Sequence, residues 1–209
     1  MLDYGMCNLF NVARAFEHCG AEVTITEDAV IAQKAEKLVV PGVGAFRDSI
    51  REIEARGLDE AIKRFIETGR PFLGICVGMQ MLFEASEEFG EYAGLGILAG
   101  RVMAIPSLTT AGAAQRIPHV GWNHLVTTET GRSWRGTLLD AFEGKQPAFY
   151  FVHSFAAKPD DPAIRLADTV YGGHRICAAV QRENVMATQF HPERSGEMGL
   201  RLIQHFMSY

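Results

Sequence analysis

Apolar residues recur at helical spacing through much of the first half of the chain and at strand spacing through the second. Leu9, Val12, Ala13, Phe16 and Cys19 predict a helix over Asn8–Cys19, closed by Gly20. Glu22–Ile25 and Lys37–Val40 read as strands, the latter closed by Pro41-Gly42. Phe46–Arg56 and Leu58–Thr68 read as helices that break at Gly57 and Gly69. Phe72–Ile75 is a short apolar strand that runs straight into Gly74-Ile75-Cys76-Val77-Gly78 and a helix from Val77 to about Ala85. Strands alternating with helices over short connections imply an α/β fold: an open, mixed, mostly parallel sheet with helices on both faces.

Six further stretches carry β signals: Arg101–Ile105, His124–Thr128, Ala148–Ala157, Ile164–Tyr171, Arg175–Gln181 and Val185–Phe190. Glu183-Asn184 predicts a hairpin turn between the last two, without the glycine of the strongest turn signal. Gly196–Tyr209 closes the chain as a helix. The segments 106–116 and 129–136 read as surface loops within the domain.

Composition narrows the class. A chain of 209 residues, 47% hydrophobic, predicts one domain over residues 1–209 with a sizeable core. Twenty basic against 25 acidic residues leave a net charge of −5 and no dense basic block, which argues against nucleic acid as a partner. No apolar run approaches the roughly 18–20 residues that cross a bilayer, and the amino terminus lacks the pattern of a signal peptide. Cys7, Cys19, Cys76 and Cys177 lie far apart with no CxxC pair, so neither a metal site nor a disulfide frame is expected. The expectation is a cytoplasmic protein with free thiols, no metal and no cofactor.

Three short motifs carry chemistry. Gly74-x-Cys76-x-Gly78 between an apolar strand and a helix is the thiol form of a nucleophile elbow. There the cysteine is strained and exposed at a sheet's carboxyl edge, and a helix amino terminus favours its anion. Alone, the pattern leaves a buried thiol between glycines equally open. Gln189-Phe190-His191-Pro192-Glu193 ends an apolar strand and supplies a base with a carboxylate to orient it. By itself it also fits a surface turn. In Pro41-Gly42-Val43-Gly44 the glycines flanking Val43 would let a peptide N–H turn toward a developing oxyanion; the plainer reading is a strand-to-helix loop.

Together these segments resemble the triad glutamine amidotransferases, a flavodoxin-like α/β family, and within it the subgroup that feeds ammonia to a separate cyclase. The shared markers are Asp3-Tyr4-Gly5 with Asn8-Leu9, PGVGAF at 41–46, GICVGMQ at 74–80, PHVGWN at 118–123, YFVHSF at 150–155 and QFHPERSG at 189–196. They cover nearly the whole chain. The elbow and the His-Pro-Glu run through the whole family, whereas PGVG and PHVGWN are more selective.

The resemblance implies that Cys76 attacks the side-chain amide of L-glutamine, giving a glutamyl thioester and ammonia. His191 would be base and then acid, with Glu193 orienting it. Val43 with Gly44, and Val77 after the nucleophile, would form the oxyanion hole. Gly42, Gln80, Glu88, His153, Ser154 and Phe155 would bind glutamine; Glu87 rivals Glu88 for its ammonium group, and His153 reads equally as a hydrogen-bonded core histidine. The partner implied is a cyclase subunit of (β/α)8-barrel type in a heterodimer of histidine biosynthesis. His119, Trp122, Asn123 and Arg194 would face it, although Trp122 also suits ordinary packing.

Family members tend to be silent until the partner's site is filled, which implies an unformed oxyanion hole. Departures are few. Only Met1-Leu2 precede Asp3 where the family's first strand is longer, Cys7 stands at a usually smaller position, and the 106–116 loop is longer than expected. Two other readings stay open: the same chemistry serving another ammonia acceptor, and a flavodoxin-like redox, chaperone or peptidase protein.

Overall fold

A computed structural model describes residues 1–6 and 9–209, so the readings at Cys7 and Asn8 lie outside the described residues. Leu9–His18 forms α1, and its buried face of Val12, Ala13, Ala15 and Phe16 follows the apolar spacing. Next comes a helix the apolar pattern missed, Ala29–Lys34 (α2), whose amino terminus Asp28 caps by accepting the N–H groups of Val30 and Ile31. Only Ala32 of its six residues is buried, so no apolar period marks it. Glu22–Ile25 does not build a full strand. It runs extended into a single bridge, Leu2 to Thr26.

The alternation then runs Leu38–Gly42 (β1), Phe46–Ala55 (α3), Leu58–Glu67 (α4), Phe72–Cys76 (β2) and Val77–Gln80 (α5). α5 is one turn, shorter than the helix expected to reach Ala85. Carbonyls of Met81, Leu82 and Phe83 accept N–H groups of Leu95, Ile97, Leu98 and Gly96 at 2.8–3.2 Å, and Phe83–Ser86 becomes a strand (β3). Long-range pairing overrides the local helical period.

The remaining elements are Tyr92–Ala93 (β4), Leu98–Ala104 (β5), His119–Val126 (β6), Ala148–His153 (β7), Phe155–Pro159 (β8), Arg165–Tyr171 (β9), His174–Arg182 (β10), Val185–Thr188 (β11) and Gly196–Met207 (α6). The single strand expected over Ala148–Ala157 is two, divided at Ser154 where the chain passes between sheets. An unbroken apolar run hides that division. Residues 129–136 are not wholly surface: the Trp134 indole is buried and donates to the Leu166 carbonyl at 2.9 Å.

Seven strands form one sheet in the order β1-β2-β11-β10-β9-β6-β7, and four form a second, β4-β3-β5-β8. The α/β class and the open, mixed sheet agree with the sequence. Parallel pairing in the larger sheet is narrower than expected, confined to β1 with β2 and β2 with β11. The other neighbours are antiparallel. Connections as short as Gly172-Gly173 and Glu183-Asn184 allow only hairpins, since a parallel return needs a crossover. The helices form two groups, α1 with α6 and α4 with α2 and α3. One apolar core joins Leu2, Phe16, Phe65, Phe149 and Phe206. No helix among the described residues is long and apolar enough to cross a membrane.

In register, Gly42 stands opposite Cys76, and Thr188 opposite Ile75. The Pro-Gly-Val-Gly loop, the cysteine turn and the Gln189–Glu193 segment therefore leave three neighbouring parallel strands at one carboxyl edge. Open α/β sheets bind ligands at such an edge.

Candidate active site

Cys76 holds the conformation that the glycine spacing anticipates. Its backbone sits at φ 56°, ψ −111°, a strained region for a residue with a side chain. The turn closes because Gly78 lets α5 press on β1: a Cβ there would lie 1.9 Å from the Val40 carbonyl oxygen. A Cβ on Gly74 would lie 2.7 Å from the Gly78 carbonyl oxygen. Since α5 is a single turn, little helix dipole bears on the sulfur. Cys177 is a different kind of thiol. Sealed in the core, it is pushed by burial up to about 12 and stays inert.

His191 and Glu193 meet as expected. Nδ1 of His191 lies 2.7 Å from Glu193 Oε1, with both side chains nearly inaccessible. Pro192 opens a 3-10 turn over Pro192–Arg194 that folds the carboxylate back onto the ring. The Ser195 hydroxyl donates to the His191 carbonyl at 2.6 Å and accepts the Tyr150 N–H at 2.9 Å, which anchors the turn to β7. With Nδ1 engaged, Nε2 is the nitrogen left for chemistry; it is buried without a completed hydrogen bond. Burial opposes a charged ring, but the Cys76 sulfur and the Glu193 carboxylate outweigh it and push His191 up to about 10. The ring can therefore take and hold a proton.

A cavity of about 270 Å³ opens at this edge, lined by Cys76, Val77, His191, Val43, Gly44, Gln80, Glu88, His153, Ser154 and Phe155 among others. The structure separates the two rival carboxylates. Glu88 lines the cavity and accepts the Phe46 N–H at 2.6 Å, whereas Glu87 pairs with Arg101 at 3.2 Å outside it. Gly42 does not reach the cavity. Its Cα packs under the Tyr4 hydroxyl, where a Cβ would come within 2.6 Å, so its part is close packing of β1. The Val43 N–H points away from the sulfur and donates to the Met6 carbonyl at 3.3 Å.

Sequence reasoning missed three residues here. Gln189 donates from Nε2 toward the Cys76 sulfur at 3.6 Å and accepts the Gln80 amide at 3.0 Å. It lies just past the end of β11, in the same Gln-Phe-His-Pro-Glu run as His191, and it is long-range packing against Cys76 and Gln80 that gives it a role. Pro118 and Val152 also line the cavity; they lie within the PHVGWN and YFVHSF segments, but nothing in those segments marks either one as facing the site.

The four residues assigned to a partner surface divide. Trp122 is 57% exposed with its ring edge-on to Tyr150, and the Arg194 guanidinium lies over that same ring at 4.6 Å. Asn123 is half-buried. His119 is not on the surface: at 2% exposure it points inward from β6, and that part of its assignment is corrected.

With this geometry in view, the likeness to known proteins is specific. The glutamine amidotransferase class-I family matches residues 1–208. The chain is 47% identical over 207 residues to imidazole glycerol phosphate synthase subunit HisH 1 of Legionella pneumophila (strain Lens), covering 99% of this chain and 97% of that protein. It is 45% identical to subunit HisH of Syntrophotalea carbinolica at the same coverage. PurLQS from Thermotoga maritima shares the fold at TM-score 0.72 and 20% identity, over 100% of this chain and 96% of the other. A cysteine elbow, a His–Glu pair and a cavity at one sheet edge, matched end to end by these relatives, mean that the chain belongs to the class-I glutamine amidotransferases.

Proposed function

We propose that residues 1–209 form one glutamine amidotransferase domain, the cytoplasmic glutaminase subunit of an imidazole glycerol phosphate synthase. The observation that carries this is Cys76 strained at the elbow beside a His191 whose far nitrogen is held by Glu193. The full-length likeness to HisH subunits supports the choice of synthase.

In this reading L-glutamine lies in the cavity with its ammonium group toward Glu88 and its side-chain amide at Cys76. The sulfur forms a bond to the amide carbon while its proton passes to His191 Nε2. That proton then goes to the departing nitrogen, the C–N bond breaks, and ammonia leaves a glutamyl thioester. Water, deprotonated by the same nitrogen, attacks the thioester and releases glutamate, and the proton returns to sulfur. Glu193 keeps Nδ1 engaged throughout, so that Nε2 does the proton transfer.

The N–H groups of Val43 and Val77 receive the oxyanion. For Val43 this requires its peptide to turn away from Met6, and Gly42 and Gly44 on either side make the rotation feasible. In this reading the hydrogen bond from Val43 to Met6 keeps the oxyanion hole incomplete until a partner docks.

The ammonia acceptor is a separate cyclase subunit of (β/α)8-barrel type, which uses it to form imidazole glycerol phosphate in histidine biosynthesis. Ammonia free in water near neutral pH is mostly the non-nucleophilic ammonium ion, so delivery needs a docked partner. Trp122, Asn123 and Arg194 form the docking face. Trp122→Ala should weaken the complex by about tenfold or more, as loss of an aromatic anchor does, measured by calorimetric titration. An unchanged affinity would remove Trp122 from the interface.

The deciding experiment mixes this chain with a cyclase barrel and that enzyme's nucleotide substrate. Glutamine hydrolysis should rise by about 10²-fold or more over the lone chain. Stimulation by another ammonia-accepting synthase instead would transfer the same chemistry to a different pathway.

A further inference from the structure

β6 and β7 place His119 and His153 directly opposite one another, and both rings turn inward. His119 is stacked between Tyr171, at 4.1 Å and 26°, and Phe151, at 4.9 Å and 19°. Stacking fixes the ring plane and leaves only its two in-plane nitrogens for polar contacts. Nδ1 lies 3.1 Å from His153 Nε2, and Nε2 lies 3.3 Å from Asn123 Nδ2. His153 Nδ1 lies 2.9 Å from the Phe155 carbonyl oxygen.

The direction of each bond follows from its ends. The Asn123 side-chain oxygen accepts the His124 N–H at 2.8 Å and its Nδ2 donates to the Val170 carbonyl at 2.9 Å, which sets the amide's orientation. Asn123 must then donate to His119 Nε2. That puts the His119 proton on Nδ1, which donates to His153 Nε2. The His153 proton is left on Nδ1, where a carbonyl waits to accept it. Asn123, His119, His153 and the Phe155 carbonyl thus form a one-way chain, and it exists only while both rings are neutral. Burial enforces this, pushing His119 down to about 4 and His153 to about 3.

The chain ends where the cavity begins. The Phe155 carbonyl also accepts the Gln80 amide at 2.9 Å, and Gln80, His153, Ser154 and Phe155 all line the cavity. Its donor end is on the strand that presents exposed Trp122. We infer that His119 is a positioning residue: through the Asn123–His119–His153 relay, β6 sets where the Ser154–Phe155 wall of the glutamine cavity stands. A partner gripping Asn123 then acts on that wall through two imidazoles of defined tautomer. This inference rests on reading the cavity as a glutamine site.

Its test uses the complex with a cyclase barrel. His119→Phe keeps the stacked ring and deletes the donor, leaving His153 Nε2 unsatisfied. The KM for glutamine should rise about tenfold, the worth of one buried hydrogen bond, while kcat changes less than about twofold. His119→Asn, whose amide donates from near the Nδ1 position, should restore most of the KM. An unchanged KM in His119→Phe, or equal losses in KM and kcat that asparagine does not rescue, would overturn the inference.

A second measurement needs neither a variant nor activity. In a long-range ¹H–¹⁵N spectrum of the full chain near pH 7, both rings should be protonated at Nδ1 and bare at Nε2. The opposite tautomer on either ring would overturn the relay even in a fully active enzyme. If the unaltered complex fails to hydrolyse glutamine, the functional reading falls instead, and the tautomers still decide the relay.

Discussion

Cys76→Ser should abolish glutamine-dependent synthesis in the complex, by about 10⁴-fold or more, while synthesis fed with ammonium salts persists. The serine fits the same elbow, so the fold and the partner surface are unaltered. What is lost is a nucleophile that His191 can readily deprotonate. Measuring both reactions on one preparation separates chemistry from structure. Loss of the ammonia-fed reaction together with the glutamine-fed one would show that Cys76 holds the complex together. Retention of both would place the nucleophile elsewhere, and neither Cys19 nor buried Cys177 has an elbow or a histidine–carboxylate pair around it.

Gly78→Ala should be the most destabilising single methyl addition at the site. The new Cβ would stand 1.9 Å from the Val40 carbonyl oxygen and 3.0 Å from its carbon, both main-chain atoms of a buried strand. Neither can move without parting β1 from β2. We expect about 3–5 kcal/mol of lost stability, within the range of severe overpacking. The contrast is Gly96→Ala, where φ is +64° and nothing lies within 4 Å, so only about 1 kcal/mol of backbone strain applies. Urea unfolding of the two variants checks the account. Midpoints that fall equally would show that the contact with Val40 relaxes easily and that Gly78 is there for its backbone freedom.

How much was legible differed by element and by range. α1, α3 and α4 follow directly from apolar spacing, because each buries one face of a regular helix. α2 was hidden because a six-residue helix with one buried side chain has no period to display. The short α5 and the strand β3 were misread as one helix. Their boundary is drawn by N–H groups of residues 95–98, far from anything a local pattern contains. At the site, Cys76, His191 and Glu193 were all visible, and so was the Glu87 or Glu88 alternative, which only tertiary contact resolved. Gln189 stands in the same short run as His191 and Glu193, but its contacts with Cys76 and Gln80 come from distant segments and leave no local mark.

What the sequence determined by itself was the chemistry that depends on neighbours in the chain. Glycines two residues either side of Cys76 permit the positive φ and the close approach of β1, and a His-Pro-Glu triplet can fold its carboxylate onto its imidazole within one turn. Only the tertiary structure decided what depends on distant segments. It set the Val43 N–H on Met6 rather than toward the sulfur, turned Glu88 into the cavity and Glu87 away, and drew His119 inward against His153. The physical reason is the same in each case. Dihedral preference and residue spacing are local properties, whereas the partner of a hydrogen bond is chosen by which strands lie side by side.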